Sequence, residues 1–169
     1  MPPVPETHIR RAEPKDAPVL RAILYATYEA TWLPELTQAA ARSYRDADRP
    51  GAYVEARGKA FWVAESDGQV LGFVDWDADF VNALHVRPSR ARTGIGSRLM
   101  DKAETEIARA GFPAVRLETD TFNGRARAFY AGRGYLEADR YPDMEWNSGL
   151  TTLLLVKRLG KAGASAPPP

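Results

Sequence analysis

Residues 60 to 86 constrain this chain most. "AFWVAES" (60–66) and "QVLGFVDW" (69–76) are β-branched and aromatic runs separated by Asp67-Gly68, and "FVNALHV" (80–86) follows and ends at Arg87-Pro88. An Asp-Gly pair between two such runs supplies the positive backbone angles that a tight two-residue hairpin requires. Three successive strands in that pattern predict a sheet around which the rest of the chain must be arranged.

The flanking segments add helices. "THIRRA" (7–12) reads as a short first strand. From Pro14 to Trp32, Leu20, Ile23, Leu24, Thr27, Tyr28 and Thr31 share one helical face, stopped before Pro34. A second helix is expected over 37–47, and Pro50-Gly51 reads as a turn. After the third strand, Ile95, Leu99, Met100, Ala103 and Ile107 line one face of a helix stopped by Gly111. "AVRLET" (114–119) is a further strand, and 123–134 a helix capped by Asn123 and ended at Gly134, with Ala126, Phe129 and Tyr130 on its buried face. "YLEADR" and "LTTLLLVKRL" read as two last strands. The order β-α-α-β-β-β-α-β-α-β-β suits one mixed sheet with helices on both faces. A chain of 169 residues is expected to hold one domain, 7–159, between loose Pro/Ala-rich tails at 1–6 and 160–169.

The chain has no cysteine, which rules out thiolate metal sites, disulfides and a cysteine nucleophile. With His8 and His85 its only histidines, no metal site is expected. A net charge of +1 gives no pull toward nucleic acid or an anionic membrane, and of 23 basic residues 18 are Arg, which reads as coding bias. No apolar run reaches bilayer length and "MPPVPETHIRR" lacks a signal-peptide core, so a cytoplasmic address is expected.

"RARTGIGSRLM" (90–100) is a glycine-rich turn entering a helix, a place where main-chain N–H groups can hold an anion. An NTP-binding loop would continue with Lys-Ser/Thr after the second glycine, but Ser97-Arg98 stands there. A dinucleotide fingerprint would place a third glycine at Leu99 and sit on the first strand of a βαβ series. A nucleotide-binding α/β domain is therefore the weaker reading.

The wider segments "ALHVRPSRARTGIGSRLMDKAE" and "VRLETDTFNGRARAFYAGRGY" resemble two linked motifs of the GCN5-related N-acetyltransferase (GNAT) superfamily. One is a strand ending in Leu-x-Val-x-Pro, then a Gln/Arg-x-x-Gly-x-Gly/Ala loop and a helix. The other is Leu-Glu-x followed by Asn, Ala, Phe-Tyr and Gly-Tyr. The resemblance spans about residues 8 to 159 and implies an α/β (α+β mixed) acyl-CoA N-acyltransferase fold. That fold has a central mixed, mostly antiparallel, twisted sheet of about six to seven strands and about four flanking helices. It further implies acetyl-CoA as cosubstrate, without a metal, and a small-molecule or peptide amine as partner, with a homodimer open. The alternative is an acyl-CoA-binding sensor without catalysis. The family's Gln/Arg falls on Ala91, between Arg90 and Arg92.

The resemblance also implies which residues carry the chemistry. Leu84, His85, Val86, Arg92, Thr93, Gly94, Ile95, Gly96, Ser97, Asn123, Arg127 and Tyr130 would bind the cosubstrate, with a backbone N–H near Val86 facing the thioester oxygen. Tyr130 matches the tyrosine that protonates the departing thiolate; with a thiol pKa near 8.5, that help is worth roughly 2 kcal/mol at pH 7. Glu118 matches the glutamate that serves as base, and reads equally as a solvated strand residue. Neutralising a lysine-like amine at pH 7 costs about 4.6 kcal/mol, an α-amine only about 1. Asp75, Asp77 and Asp79 are further acids in a "DWDAD" segment that otherwise reads as a solvated hairpin end. His85 points to the opposite sheet face from Leu84 and Val86, as a second base or a packed ring. Tyr28 and Trp32, with Asp75, are the acceptor-binding candidates, and 25–55 and 141–150 the segments that would shape that side.

Overall fold

Asp67 and Gly68 take backbone φ of 54° and 74°, the paired positive angles of a tight hairpin, and join β2 (Trp62–Ser66) to β3 (Gln69–Asp77). The computed structural model that contains them describes residues 6–144 and 148–160; the rest of both expected tails, and 145–147 within the 141–150 segment, lie outside the described residues. β1 (Thr7–Arg11) pairs antiparallel with β2, and β4 (Phe80–Val86) follows β3 through a turn at Ala78, whose φ is 52°. β5 (Ala114–Asp120), β6 (Leu136–Pro142) and β7 (Thr151–Arg158) complete a seven-stranded sheet in the order β1-β2-β3-β4-β5-β7-β6. β4 and β5 pair in parallel at Phe80↔Arg116 and Val81↔Leu117, whereas β5–β7 and β6–β7 are antiparallel. The expected mixed, mostly antiparallel sheet is the one observed.

Two helical expectations need correction. The helix expected over 14–32 is composite: a 3-10 turn at Pro14–Asp16, α1 (Ala17–Thr27) and a π-helical turn at Tyr28–Trp32. The widened turn lies just ahead of Pro34, whose missing N–H and bulky ring prevent a regular ladder. Pro50-Gly51 is not a turn but the start of a helix. After α2 (Gln38–Asp46), Asp48 caps α3 (Arg49–Arg57) by accepting from the Gly51 N–H at 3.3 Å. Pro50 sits in the first helical turn, where its lack of an N–H costs nothing. With α4 (Ile95–Arg109) and α5 (Gly124–Gly132), the described residues hold five α-helices.

The chain forms two compact units: Met1–Asp75 with Ala83–Lys102, and Trp76–Asn82 with Ala103–Pro169. The first is built on Leu20, Ile23 and Leu24 of α1, Val54 of α3, and Phe61, Val63, Val70 and Phe73 from the sheet side. The Phe61 and Phe73 rings lie parallel, 4.5 Å apart. In the second unit Ile107, Val115, Leu117 and Leu153 are buried. Glu104, also buried, accepts from Arg133 and Lys157 at 2.5 Å each.

Gly72 on β3 decides how closely β4 approaches. A Cβ there would stand 2.6 Å from the His85 carbonyl oxygen and 3.1 Å from the Val86 Cα, both main-chain atoms. Gly72→Ala is expected to cost about 2 kcal/mol, the usual range for forced backbone shifts, read from urea unfolding. An unchanged midpoint would show that the two strands are not held this closely.

Candidate active site

The glycine loop belongs to the first unit. Arg87 anchors its start: its main-chain N–H donates to the Leu71 oxygen and its Nε to the Val70 oxygen, each at 2.8 Å. A 3-10 turn covers Pro88–Arg90, and the Thr93 hydroxyl donates back to the Arg90 oxygen at 2.6 Å. Arg92 has φ 63° and Gly94 φ 85°, a conformation that excludes most side chains at Gly94. The Arg98 N–H reaches the Gly94 oxygen at 3.1 Å, where the helical ladder begins. The amides of Ile95, Gly96 and Ser97 precede that bond, at the positive end of α4. Residues 87–98 hold Arg87, Arg90, Arg92 and Arg98 and no carboxylate, and Arg90 and Arg92 are exposed. This donor set fits a phosphorylated ligand, with a guanidinium on either side of Ala91.

Further along the same unit, His85 lies half-buried on β4. Its ring stacks on Phe73 at 5.3 Å, faces Trp32 at 6.0 Å, and its Nδ1 is 2.8 Å from the Thr27 hydroxyl. Burial pushes this imidazole down to about 4. Tyr28 is buried and stacked on Tyr44 at 3.7 Å, and its hydroxyl has no hydrogen-bond partner. Desolvation pushes that phenol up. Asp75 is fully buried within β3, not at the hairpin end. Its carboxylate accepts from Tyr53 Oη at 2.5 Å and from Arg57 Nε and Nη2 at 2.8 and 2.9 Å.

The second unit carries the other candidates. Asn123 caps α5, accepting from the Ala126 N–H at 3.2 Å. Arg127 donates to the Thr121 oxygen at 3.0 Å. Tyr130 is buried, with Phe129 and Tyr135 edge-on at 5.1 and 5.5 Å, and desolvation pushes its phenol well above the ordinary value. Glu118 is exposed and accepts from Tyr141 Oη at 2.8 Å. Burial first, and this bond second, push Tyr141 up to about 12. Arg116 clamps Asp79 at 2.9 and 3.0 Å and holds its carboxyl below the usual range.

The structure thus groups Arg92–Ser97 with Leu84, His85, Val86, Tyr28, Trp32 and Asp75 in one unit, and Glu118, Asn123, Arg127 and Tyr130 in the other. Sequence reading missed three partners: Thr27 for His85, Arg57 with Tyr53 for Asp75, and Tyr141 for Glu118. The first had a signal, a hydroxyl on the apolar face of α1; the others depend on strand order and helix placement. Among the described residues no group of three or more His, Asp or Glu side chains is placed to hold a metal ion, and no helix is long and apolar enough to cross a membrane.

Residues 19–135 match the acetyltransferase (GNAT) family. Blasticidin-S acetyltransferase of Streptomyces morookaense is 36% identical over 95 residues, 56% of this chain and 68% of that protein. A GCN5-related N-acetyltransferase structure from Rhodopseudomonas palustris superposes with a TM-score of 0.75 at 23% identity, covering 93% of this chain and 99% of that one. PaiA N-acetyltransferase from Thermoplasma acidophilum, solved in complex with coenzyme A, gives 0.74 at 19% identity, with 91% and 99% covered.

The lowered His85 pKa sets a pH dependence. Its folded value, about 4, lies below the unfolded value near 6.5, so the unfolded chain binds the proton first. The contribution is fully present above pH 6.5 and is lost as pH falls from there toward 4. Urea titrations between pH 7 and 4.5 are expected to show this loss, about 1.4 kcal/mol per pH unit at most, and His85→Phe to remove that part of the slope. A native slope identical to that of the variant would contradict it.

Proposed function

Because this chain belongs to the acetyltransferase (GNAT) family, we propose that it transfers an acetyl group from acetyl-CoA directly to a primary amine of a small molecule or peptide. The loop through Gly94 carries this reading. Its φ of 85° turns the chain into α4 so that the first amides of the helix stand ahead of the ladder. Ile95, Gly96 and Ser97 hold the diphosphate through those amides, and Arg90 or Arg92 supplies the guanidinium that Ala91 lacks.

The cosubstrate supplies an activated acetyl thioester, and the other tasks fall to this chain. The Val86 amide donates to the acyl oxygen as charge develops there. Tyr130, kept protonated by burial, donates its hydroxyl proton toward the departing sulfur. Glu118 accepts the amine proton, directly or through a water, with Tyr141 orienting one of its oxygens. Tyr28 and Trp32 line the acceptor side. Asp75, already bound by Arg57 and Tyr53, holds α3 to the sheet.

A panel of amines, with thiol release from acetyl-CoA as readout, tests the reading. Amine-dependent release is expected; CoA binding without it would leave the sensor, and NAD or ATP binding in place of CoA would overturn the assignment. Tyr130→Phe is expected to lower kcat about 30-fold, the equivalent of roughly 2 kcal/mol, with CoA affinity unchanged within about two-fold. Undiminished turnover removes Tyr130 from the chemistry.

A further inference from the structure

Resting on the acetyl-transfer reading above, we propose that His85 receives an N–H of the incoming amine through an Nε2 lone pair that Thr27 keeps free. The Thr27 hydroxyl has one hydrogen and two neighbours: the Leu24 carbonyl oxygen at 3.1 Å and His85 Nδ1 at 2.8 Å. The carbonyl can only accept; with the hydroxyl hydrogen on Leu24, the threonine oxygen is left as an acceptor. The contact with His85 is then a bond donated by Nδ1–H to the threonine oxygen. In a neutral ring with its proton on Nδ1, Nε2 is an acceptor.

Three features hold the ring in this state. Phe73 stacks on it and Trp32 flanks it, and these neighbours, like Thr27, carry no charge that would favour an imidazolium. Burial opposes protonation, so the lone pair persists at neutral pH. His85 as a residue is only half-buried, and the proposal places Nε2 on its open side. An amine or ammonium N–H is the donor that such an acceptor suits. His85 thereby touches the substrate, and Thr27 is a positioning residue that acts through it.

The chain has two histidines, so histidine-selective ¹⁵N labelling gives two ring spectra, told apart by a His8→Gln variant. The native protein is expected to show His85 with a protonated Nδ1 and a bare Nε2; Thr27→Ser keeps that pattern and Thr27→Val loses it. His85→Phe keeps a ring against Phe73 and is expected to raise KM for the amine about 10-fold, the value of one hydrogen bond. Thr27→Val shifts the amine KM in the same direction and Thr27→Ser restores it. A protonated Nε2 in the native chain, or an unchanged amine KM in His85→Phe, overturns the proposal. If no amine is acetylated, the transfer reading fails by itself, and the ring spectrum still decides the tautomer.

Discussion

The proposed site depends on main-chain amides at the start of α4 that precede its first ladder bond. They need no charged side chain, but they do need the chain to arrive from the correct side. Three local constraints secure that arrival. Arg87 ties the loop to β3 through two bonds to main-chain oxygens. Gly72 lets the end of β4 lie close against β3. Gly94 makes the final reversal at a positive φ. The helix then contributes the positive end of its dipole, and four arginines without an acid between 87 and 98 extend the favourable field.

Polar groups divide into two populations. Some acids are consumed in holding elements together: Asp75 by Arg57 and Tyr53, Glu104 by Arg133 and Lys157, Asp48 by Tyr25 and Arg21. Leaving buried Asp75 or Glu104 without its cation would be costly, so their geometry is structural. Arg90, Arg92 and Glu118 are instead exposed, and His85 is half-buried with one nitrogen engaged. Their interactions are incomplete inside the protein, which is the state a ligand or proton transfer requires. Tyr130 lies between the two populations, packed like a core ring yet carrying a hydroxyl that burial keeps protonated.

Much of this was legible in the sequence because it rests on local rules. Asp67-Gly68 forced the hairpin, the apolar periodicity of Leu99, Met100, Ala103 and Ile107 marked α4, and Asn123 announced α5. One failure was also local. Pro50-Gly51 looked like a turn because a proline at a helix start and a proline in a turn read alike; the cap at Asp48 decides between them. Asp75 looked solvated because its neighbours Asp77 and Asp79 do flank a turn, while its burial comes from an arginine 18 residues upstream. The Glu118–Tyr141 bond depends on β7 lying between β5 and β6, an order that strand propensity does not encode. The Thr27–His85 contact spans 58 residues and has no signature beyond a hydroxyl on an otherwise apolar face.

The direct test of the central claim is to follow backbone amide resonances while CoA is titrated into the ¹⁵N-labelled chain. Shifts largest at Gly94, Ile95, Gly96 and Ser97, and lost when Gly94 is replaced by valine in a folded protein, are the expected result. Saturable CoA binding that leaves those four amides unmoved would contradict it.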